Sequence, residues 1–275
     1  KRFDLDAAII FSDILMVPYG LGQNVKFVKG EGPILNNLDI QSINQIQSNE
    51  FKKKMEPVYD SIKEVKKTIK DKTCIGFVGA PWTLLIYMLN KKSPKQDINL
   101  NTILKDKSLV NHLLKKIEHF VCLHIEEQVK AGADVIQVFD SWAGLIPEKD
   151  LDMYCFKPNF TVANYTKSLK VPVICFPRGI GQHYSNFCKS VKPHCISIDY
   201  TVKPEWAKKN LRDVTIQGGL DPKVLLETRE VLEKEVSNYI NVFKDHPYIF
   251  NLGHGVLPET DPNMMDYLIK LVKDY

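Results

Sequence analysis

Arginine is scarce in this sequence: Arg2, Arg178, Arg212 and Arg229 stand against 33 lysines in 275 residues, and the net charge is only +4. No basic stripe interleaves with aromatic residues. Nucleic acid is therefore not the expected partner, while an anionic small molecule is permitted but not demanded. The six cysteines (Cys74, Cys122, Cys155, Cys175, Cys188 and Cys195) form no CxxC pair and no metal-like spacing. Several fall inside apolar runs, where a thiol packs as a small hydrophobe, and the pattern fits a reducing compartment. No apolar run reaches the roughly 18 residues that a membrane-crossing helix needs. There is no signal peptide, and the chain opens on Lys1-Arg2-Phe3, almost directly on a strand, rather than on Met. The expectation drawn from this start is that the natural beginning is missing from residues 1–275. Internal repeats, low-complexity tracts and linkers are absent too, so the chain, 44% hydrophobic, is expected to form one domain.

Short apolar runs that end abruptly in polar or glycine residues are abundant. The first, Ala7 to Phe11, gives way to Ser12 and Asp13. Six more follow: Cys74–Val78 before Gly79, Ala133–Phe139 before Asp140-Ser141, Val171–Phe176 before Pro177-Arg178-Gly179, Cys195–Ile198 before Asp199, Val214–Gln217 before Gly218-Gly219, and Tyr248–Leu252 before Gly253-His254-Gly255. Runs of this length, apolar on both faces, predict buried strands of a parallel sheet. Helical spacing fills the gaps, at Leu38–Ile46, at Phe51–Ile69, after Pro81 through Tyr87, and from about Leu109 to Lys130 with a stop at Gly132. Asp221-Pro222 and Asp261-Pro262 are cap-then-proline helix starts. Residues 91–101 are polar and predict a surface loop, and Gly30 to Pro33 breaks the chain. A doubly wound sheet gathers its site at one switch point, whereas a barrel uses every strand end. Polar groups after all seven runs favour the α/β parallel (β/α)8 TIM barrel. It needs eight strands; the one not found is expected to be the first.

Several strand-end residues are candidates for chemistry, each with a plain structural alternative. Asp13 beside an apolar core costs several kcal/mol unless a cation or N–H donor answers it, but it also suits a helix cap. Asp140 and Asp199 stand at strand ends in the same way. His254, between two glycines, titrates near neutrality where the backbone can approach a ligand closely. Ser141 lacks a GxSxG elbow, so hydrogen bonding to a ligand suits it better than nucleophilic attack. Tyr87 lies one turn into a helix after a strand end, a position for core or site alike. Gly218-Gly219 could cradle a phosphate or simply make a tight turn. His112, His119 and His124 lack zinc spacing and read as structural. No lysine closes a strand, which removes a Schiff-base nucleophile.

Taken together these junctions resemble the uroporphyrinogen decarboxylase family. The stretches that carry the resemblance are DAAIIFSDIL (6–15), KGEGP (29–33), GFVGAPWTLLIYM (76–88), GADVIQVFDSWAG (132–144), ICFPRGIG (174–181), IQGGLDP (216–222) and NLGHGVLPETDP (251–262), in family order over nearly the whole chain. The resemblance implies a cytosolic (β/α)8 barrel that forms a homodimer with facing clefts. It implies removal of CO2 from the four acetate arms of uroporphyrinogen III, giving coproporphyrinogen III, without metal or organic cofactor. It assigns Asp13 as the central aspartate steadying a cationic pyrrole. Tyr87, Ser141 and His254 become residues that orient substrate carboxylates, His254 as a cation when charged, and Phe11 and Phe139 line the cleft. The family's opening segment, with an MRQAGRY-type motif whose arginines meet substrate carboxylates, is not found, so the 275-residue fragment is expected to be inactive. Val17-Pro-Tyr-Gly20 and Gly218-Gly219 also differ from commoner family forms.

Three rivals share the pattern. A zinc-dependent corrinoid or thiol methyltransferase on the same barrel would present His-x-Cys and a later Cys. The corresponding junctions here read Phe176-Pro177-Arg178-Gly179 and Gly253-His254-Gly255, with no thiol. A barrel that only binds tetrapyrroles would release no CO2. A sugar-phosphate enzyme rests on Gly218-Gly219 alone.

Overall fold

A computed structural model describes residues 2–29, 31–69, 71–94 and 98–275. Gly30 of the predicted chain break and residues 95–97 of the predicted loop lie outside the described residues. In chain order the strands are β1 (Ala7–Ile9), β2 (Val25–Val28), β3 (Gly32–Leu35), β4 (Thr73–Gly79), β5 (Val135–Asp140), β6 (Val173–Pro177), β7 (Cys195–Ile198), β8 (Thr215–Gly218) and β9 (Tyr248–Ile249). Seven of them form one all-parallel sheet in the order β1-β4-β5-β6-β7-β8-β9. The central strands are apolar on both faces because both faces are covered. Every residue of β6 and β7 is buried, as parallel strands between helical layers require.

The connecting helices follow the predicted periodicity. Ser48–Ile69 buries Phe51, Met55, Val58, Tyr59 and Ile62 along one face. Its neighbour Lys107–Ala131 begins with the Asp106 carboxylate accepting from Leu109 N and ends at Gly132 in the left-handed region. The two helices meet through Phe51 and Phe120, with ring centroids 4.8 Å apart, and through a 3.1 Å hydrogen bond between the Tyr59 hydroxyl and His124 Nδ1. His124 is thus a satisfied core residue, and His112 bonds the Asn44 side chain.

Among the described residues the sheet has the seven parallel strands that the sequence predicts. One expectation about it needs correction: the strands at its two ends are shorter than predicted, β1 keeping three residues and β9 two. Each has a single neighbour, β4 and β8 respectively. Without a second ladder to hold them, Phe11 and residues 250–252 leave regular pairing, apart from one bridge between Leu220 and Leu252. Gly32 and Pro33 of the predicted break instead belong to an antiparallel hairpin, β2 with β3, where Gly32 pairs with Val28 and Pro33 with Phe27. Its alternation in Val25-Lys26-Phe27-Val28 is legible in hindsight.

Candidate active site

A cavity of about 570 Å³ opens at the carboxyl ends of the parallel strands, and all six predicted site residues line it: Phe11, Asp13, Tyr87, Phe139, Ser141 and His254. They come from three strand ends and one helix, which is how this class of sheet assembles a site from distant sequence. The volume falls within the range of small-molecule sites, roughly 300–1,000 Å³.

Asp13 stands where the chain turns from β1 into the helix Met16–Gly20. Its backbone is in the left-handed region, φ 73°, a conformation that costs an L-residue on the order of 1–2 kcal/mol. Asp13 Oδ1 accepts Leu15 N at 2.7 Å, closing the turn, so the capping role and the site position coexist in one residue. Burial pushes the carboxyl's pKa up, and the Leu15 bond pulls it partly back. Asp13 Oδ2 has no hydrogen-bond partner among the described residues.

Aromatic rings face this carboxylate in an unbroken row. Phe11 lies 4.9 Å from Phe77, Phe77 4.8 Å from Phe139, and Phe139 meets Phe176 edge-on at 6.0 Å. Phe11 is 75% exposed, so the row ends at the open mouth. A flat or ruffled aromatic ligand fits such a wall, and the low-dielectric surroundings strengthen any charge interaction with Asp13.

Polar groups line the same cavity. Tyr87 sits in the second turn of Pro81–Asn90, further along than predicted, and its hydroxyl pairs with Ser93 Oγ at 2.9 Å. His254 follows Gly253, where a Cβ would come within 2.5 Å of Tyr200 N; only glycine allows that approach. Desolvation and the Arg178 charge lower the His254 pKa, partly offset by Asp199. The shift favours the neutral imidazole over the cation.

Asp140 and Asp199 serve the frame. Asp140 is completely buried, accepting the Thr83 hydroxyl (2.7 Å) and Asn159 Nδ2 (2.9 Å). Thr83 Oγ1 in turn accepts Trp142 N, next to Ser141. Desolvation lifts the Asp140 pKa to about 6. Asp199, 1% exposed, accepts Gly179 N, the Tyr184 hydroxyl, and the backbone N and hydroxyl of Thr201. Gly218 is at φ +81°, and a Cβ there would stand 2.9 Å from Leu252 O; with the Gly219 carbonyl accepting the Tyr239 hydroxyl, the pair is a tight turn.

Sequence reasoning missed the cavity floor. Gln137, Ser197 and Gln217 project inward from β5, β7 and β8 and line it, and Gln217 Nε2 lies 3.4 Å from Ser197 Oγ. The available signal was a glutamine inside each of two otherwise apolar strands. Phe27 and Pro33, from the hairpin, line the cavity as well.

The architecture is of the α/β class: a seven-stranded parallel sheet with helices, and a cavity at the carboxyl ends of its strands. A methyltransferase from Methanosarcina mazei superimposes with TM-score 0.80 over 99% of this chain and 81% of its own, at 14% identity. A B12-independent methionine synthase from Shewanella sp. W3-18-1 superimposes with TM-score 0.58 over 91% of this chain and 72% of its own, at 10% identity. Identities this low show shared fold only. Sequence is more decisive. The uroporphyrinogen decarboxylase (URO-D) family model matches residues 1–275. Uroporphyrinogen decarboxylase of Rickettsia bellii is 37% identical over 100% of this chain and 82% of its own. That of Rickettsia conorii is 39% identical over 100% and 81%, and that of Mesorhizobium japonicum 35% over 99% and 81%. The chain belongs to the uroporphyrinogen decarboxylase family.

Proposed function

We propose that this protein is a carboxy-lyase of tetrapyrrole biosynthesis that converts the four acetate arms of uroporphyrinogen III to methyls, giving coproporphyrinogen III. The observation that carries the mechanism is Asp13: a carboxylate in an aromatic-walled cavity with one oxygen left without a partner among the described residues. A proton adds to the pyrrole α-carbon next to the carbon bearing the acetate, and the ring becomes a cation conjugated with that acetate-bearing carbon. The electrons of the bond to the carboxyl carbon then flow into the ring, CO2 leaves, and a second proton delivered to the methylene carbon, with loss of the first, restores the pyrrole and leaves a methyl. Asp13 accepts pyrrole N–H bonds and steadies the cation. Such fixed charge acts strongly where water is excluded. Those N–H donors also offset the desolvation that raises the Asp13 pKa. Tyr87, Ser141 and neutral His254 orient carboxylate arms by hydrogen bonds, while Phe11 and Phe139 hold the macrocycle's face. The chemistry needs no metal or organic cofactor, since the protonated ring is its own electron sink.

Residues 1–275 make one barrel domain in this reading, and an eighth strand closes the sheet between the single-neighbour edges of β1 and β9. The cytoplasmic homodimer with facing clefts rests on family membership. Eight substrate carboxylates meet one cleft arginine among the described residues, so residues 1–275 by themselves are proposed to turn over poorly or not at all. The test uses the complete gene product. Asp13→Gly is expected to lower kcat roughly 10²–10³-fold, the scale for losing one preorganised charge contact, measured as CO2 release and carboxylate count of the product. Near-normal turnover would remove Asp13 from the mechanism.

A further inference from the structure

A second recess, about 190 Å³, adjoins the main cavity and shares Ser141 with it; Trp142, Arg178, Asp199 and Thr201 complete its walls. Arg178 is set there on a rigid frame. Its N donates to Asp140 O at 3.1 Å, its carbonyl accepts Gly144 N at 2.9 Å, and the next amide, Gly179 N, donates to Asp199 Oδ2 at 2.8 Å. The side chain is half-buried, yet its guanidinium makes no hydrogen bond or ion pair among the described residues. Asp199 is the acid on the same wall, and both its oxygens are engaged: Oδ2 by Gly179 N and the Tyr184 hydroxyl, Oδ1 by Thr201. The other three arginines are occupied elsewhere. Arg2 approaches Asp266 at 3.9 Å, Arg212 Nε donates to Lys209 O, and Arg229 lies over the Tyr267 ring. Arg178 is close enough to His254 for its charge to depress that imidazole, which places it beside the polar rim of the cavity.

A planar guanidinium with unused donors, held in place by its backbone next to a free hydroxyl, matches a carboxylate. We propose that Arg178, with Ser141, forms an anchoring subsite for a propionate arm of the tetrapyrrole, an arm that does not react. This rests on the decarboxylase reading above and adds the identity of the arm. The choice of arm follows from charge. An acetate about to leave as neutral CO2 loses its negative charge in the transition state. A guanidinium clamped on it would stabilise the ground state more than the transition state and slow the step. A propionate keeps its charge throughout, so gripping it orients the macrocycle at no cost to the chemistry.

The test compares Arg178→Gln and Arg178→Lys with the unsubstituted complete gene product, using uroporphyrinogen III as substrate and coproporphyrinogen III as inhibitor and as binding probe. Arg178→Gln is expected to raise KM about ten- to hundredfold, with the larger part of the effect in KM rather than kcat. The inhibition constant of coproporphyrinogen should weaken by a similar factor, because it retains every propionate. Arg178→Lys recovers part of the loss, keeping the charge without the fork. Unfolding midpoints should match, since the side chain has no partner to lose. An unchanged KM overturns the subsite. A raised KM with unchanged inhibition by coproporphyrinogen means that an acetate sits there and overturns the propionate assignment, and a fall confined to kcat overturns the anchoring role. If the unsubstituted protein releases no CO2, the decarboxylase reading fails by itself. The subsite is then judged by direct titration of coproporphyrinogen, where equal binding by wild type and Arg178→Gln overturns it.

Discussion

Three aspartates end strands of this sheet, and two of them do the opposite of the third. Asp140 and Asp199 are sealed from solvent and saturated with donors: two side chains on the first, and an amide, a tyrosine hydroxyl and Thr201 on the second. Asp13 faces the cavity with one intramolecular bond and a left-handed backbone. The buried pair shapes the rim, since Asp140 reaches the backbone beside Ser141 through Thr83 and Asp199 fixes the amide after Arg178. The half-buried Asp13 is strained and under-satisfied, the condition of a group kept for a ligand. A carboxylate with all its lone pairs used can organise a loop but has nothing left to offer a substrate.

That contrast can be broken by measuring stability at each position, and the largest effect is expected at Asp199. Asp199→Ala strands the buried Tyr184 hydroxyl and frees the Gly179 and Thr201 amides. Each unsatisfied buried group costs roughly 1–3 kcal/mol, so a loss of about 3–4 kcal/mol is expected in urea unfolding, together with a raised KM as the Arg178 turn loosens. A loss below about 1 kcal/mol would place Asp199 outside the frame.

Asp140 gives an effect of about 3 kcal/mol that appears only as pH changes. Its folded pKa is raised from 3.8 to about 6 by desolvation, so the folded state prefers the protonated carboxyl. The stabilisation is complete below about pH 4 and is lost as pH rises toward about 6. His124, depressed to about 4 by complete burial, gives the opposite slope, losing stability as pH falls through the same window. The Asp140 contribution is therefore read from the difference between wild type and Asp140→Asn across pH 4–7. The asparagine keeps an acceptor for Thr83, and its Nδ2 is answered once the Asn159 amide turns to present Oδ1, which has no partner among the described residues, in place of Nδ2. A flat difference would mean that Asp140 is stabilised as an anion.

Much of this arrangement was legible in the sequence, and the limits have physical causes. The interior strands and the long helices were readable because two-sided burial and 3.6-residue spacing leave strong patterns, and Cys195–Ile198 was read with both its boundaries. The end strands were over-read, since apolar composition does not tell whether a second ladder exists to hold residues 250–252 in register. Of the six cavity residues, Phe11 and Phe139 were readable only through the family resemblance, Tyr87 by position on the helix after a strand, and Asp13, Ser141 and His254 by position after strands. The three aspartates were not separable there, because the distinction lies in partners such as Thr83, Asn159 and Tyr184 that are distant in the chain. Gln137 and Gln217 were passed over for the converse reason. Embedded in apolar runs, they looked like strand filler, although a polar side chain pointing into a barrel mouth has few other uses.

The smallest expected change in stability is at Asp13, and it is the sharpest test of the comparison. Asp13→Gly removes the 2.7 Å bond from Leu15 N, a loss of about 1 kcal/mol. Glycine adopts φ 73° without the penalty an L-residue bears, a gain of about 1–2 kcal/mol, and gives back up to about 1 kcal/mol in backbone entropy. The terms nearly cancel, so the unfolding free energy should stay within about 1 kcal/mol of wild type, by urea denaturation at neutral pH. Little change in stability combined with a large fall in turnover is the signature of a group strained for chemistry. A loss of 3 kcal/mol or more would instead class Asp13 with Asp199, as one more strut of the rim, and the central charge of the mechanism would have to be sought elsewhere in the cavity.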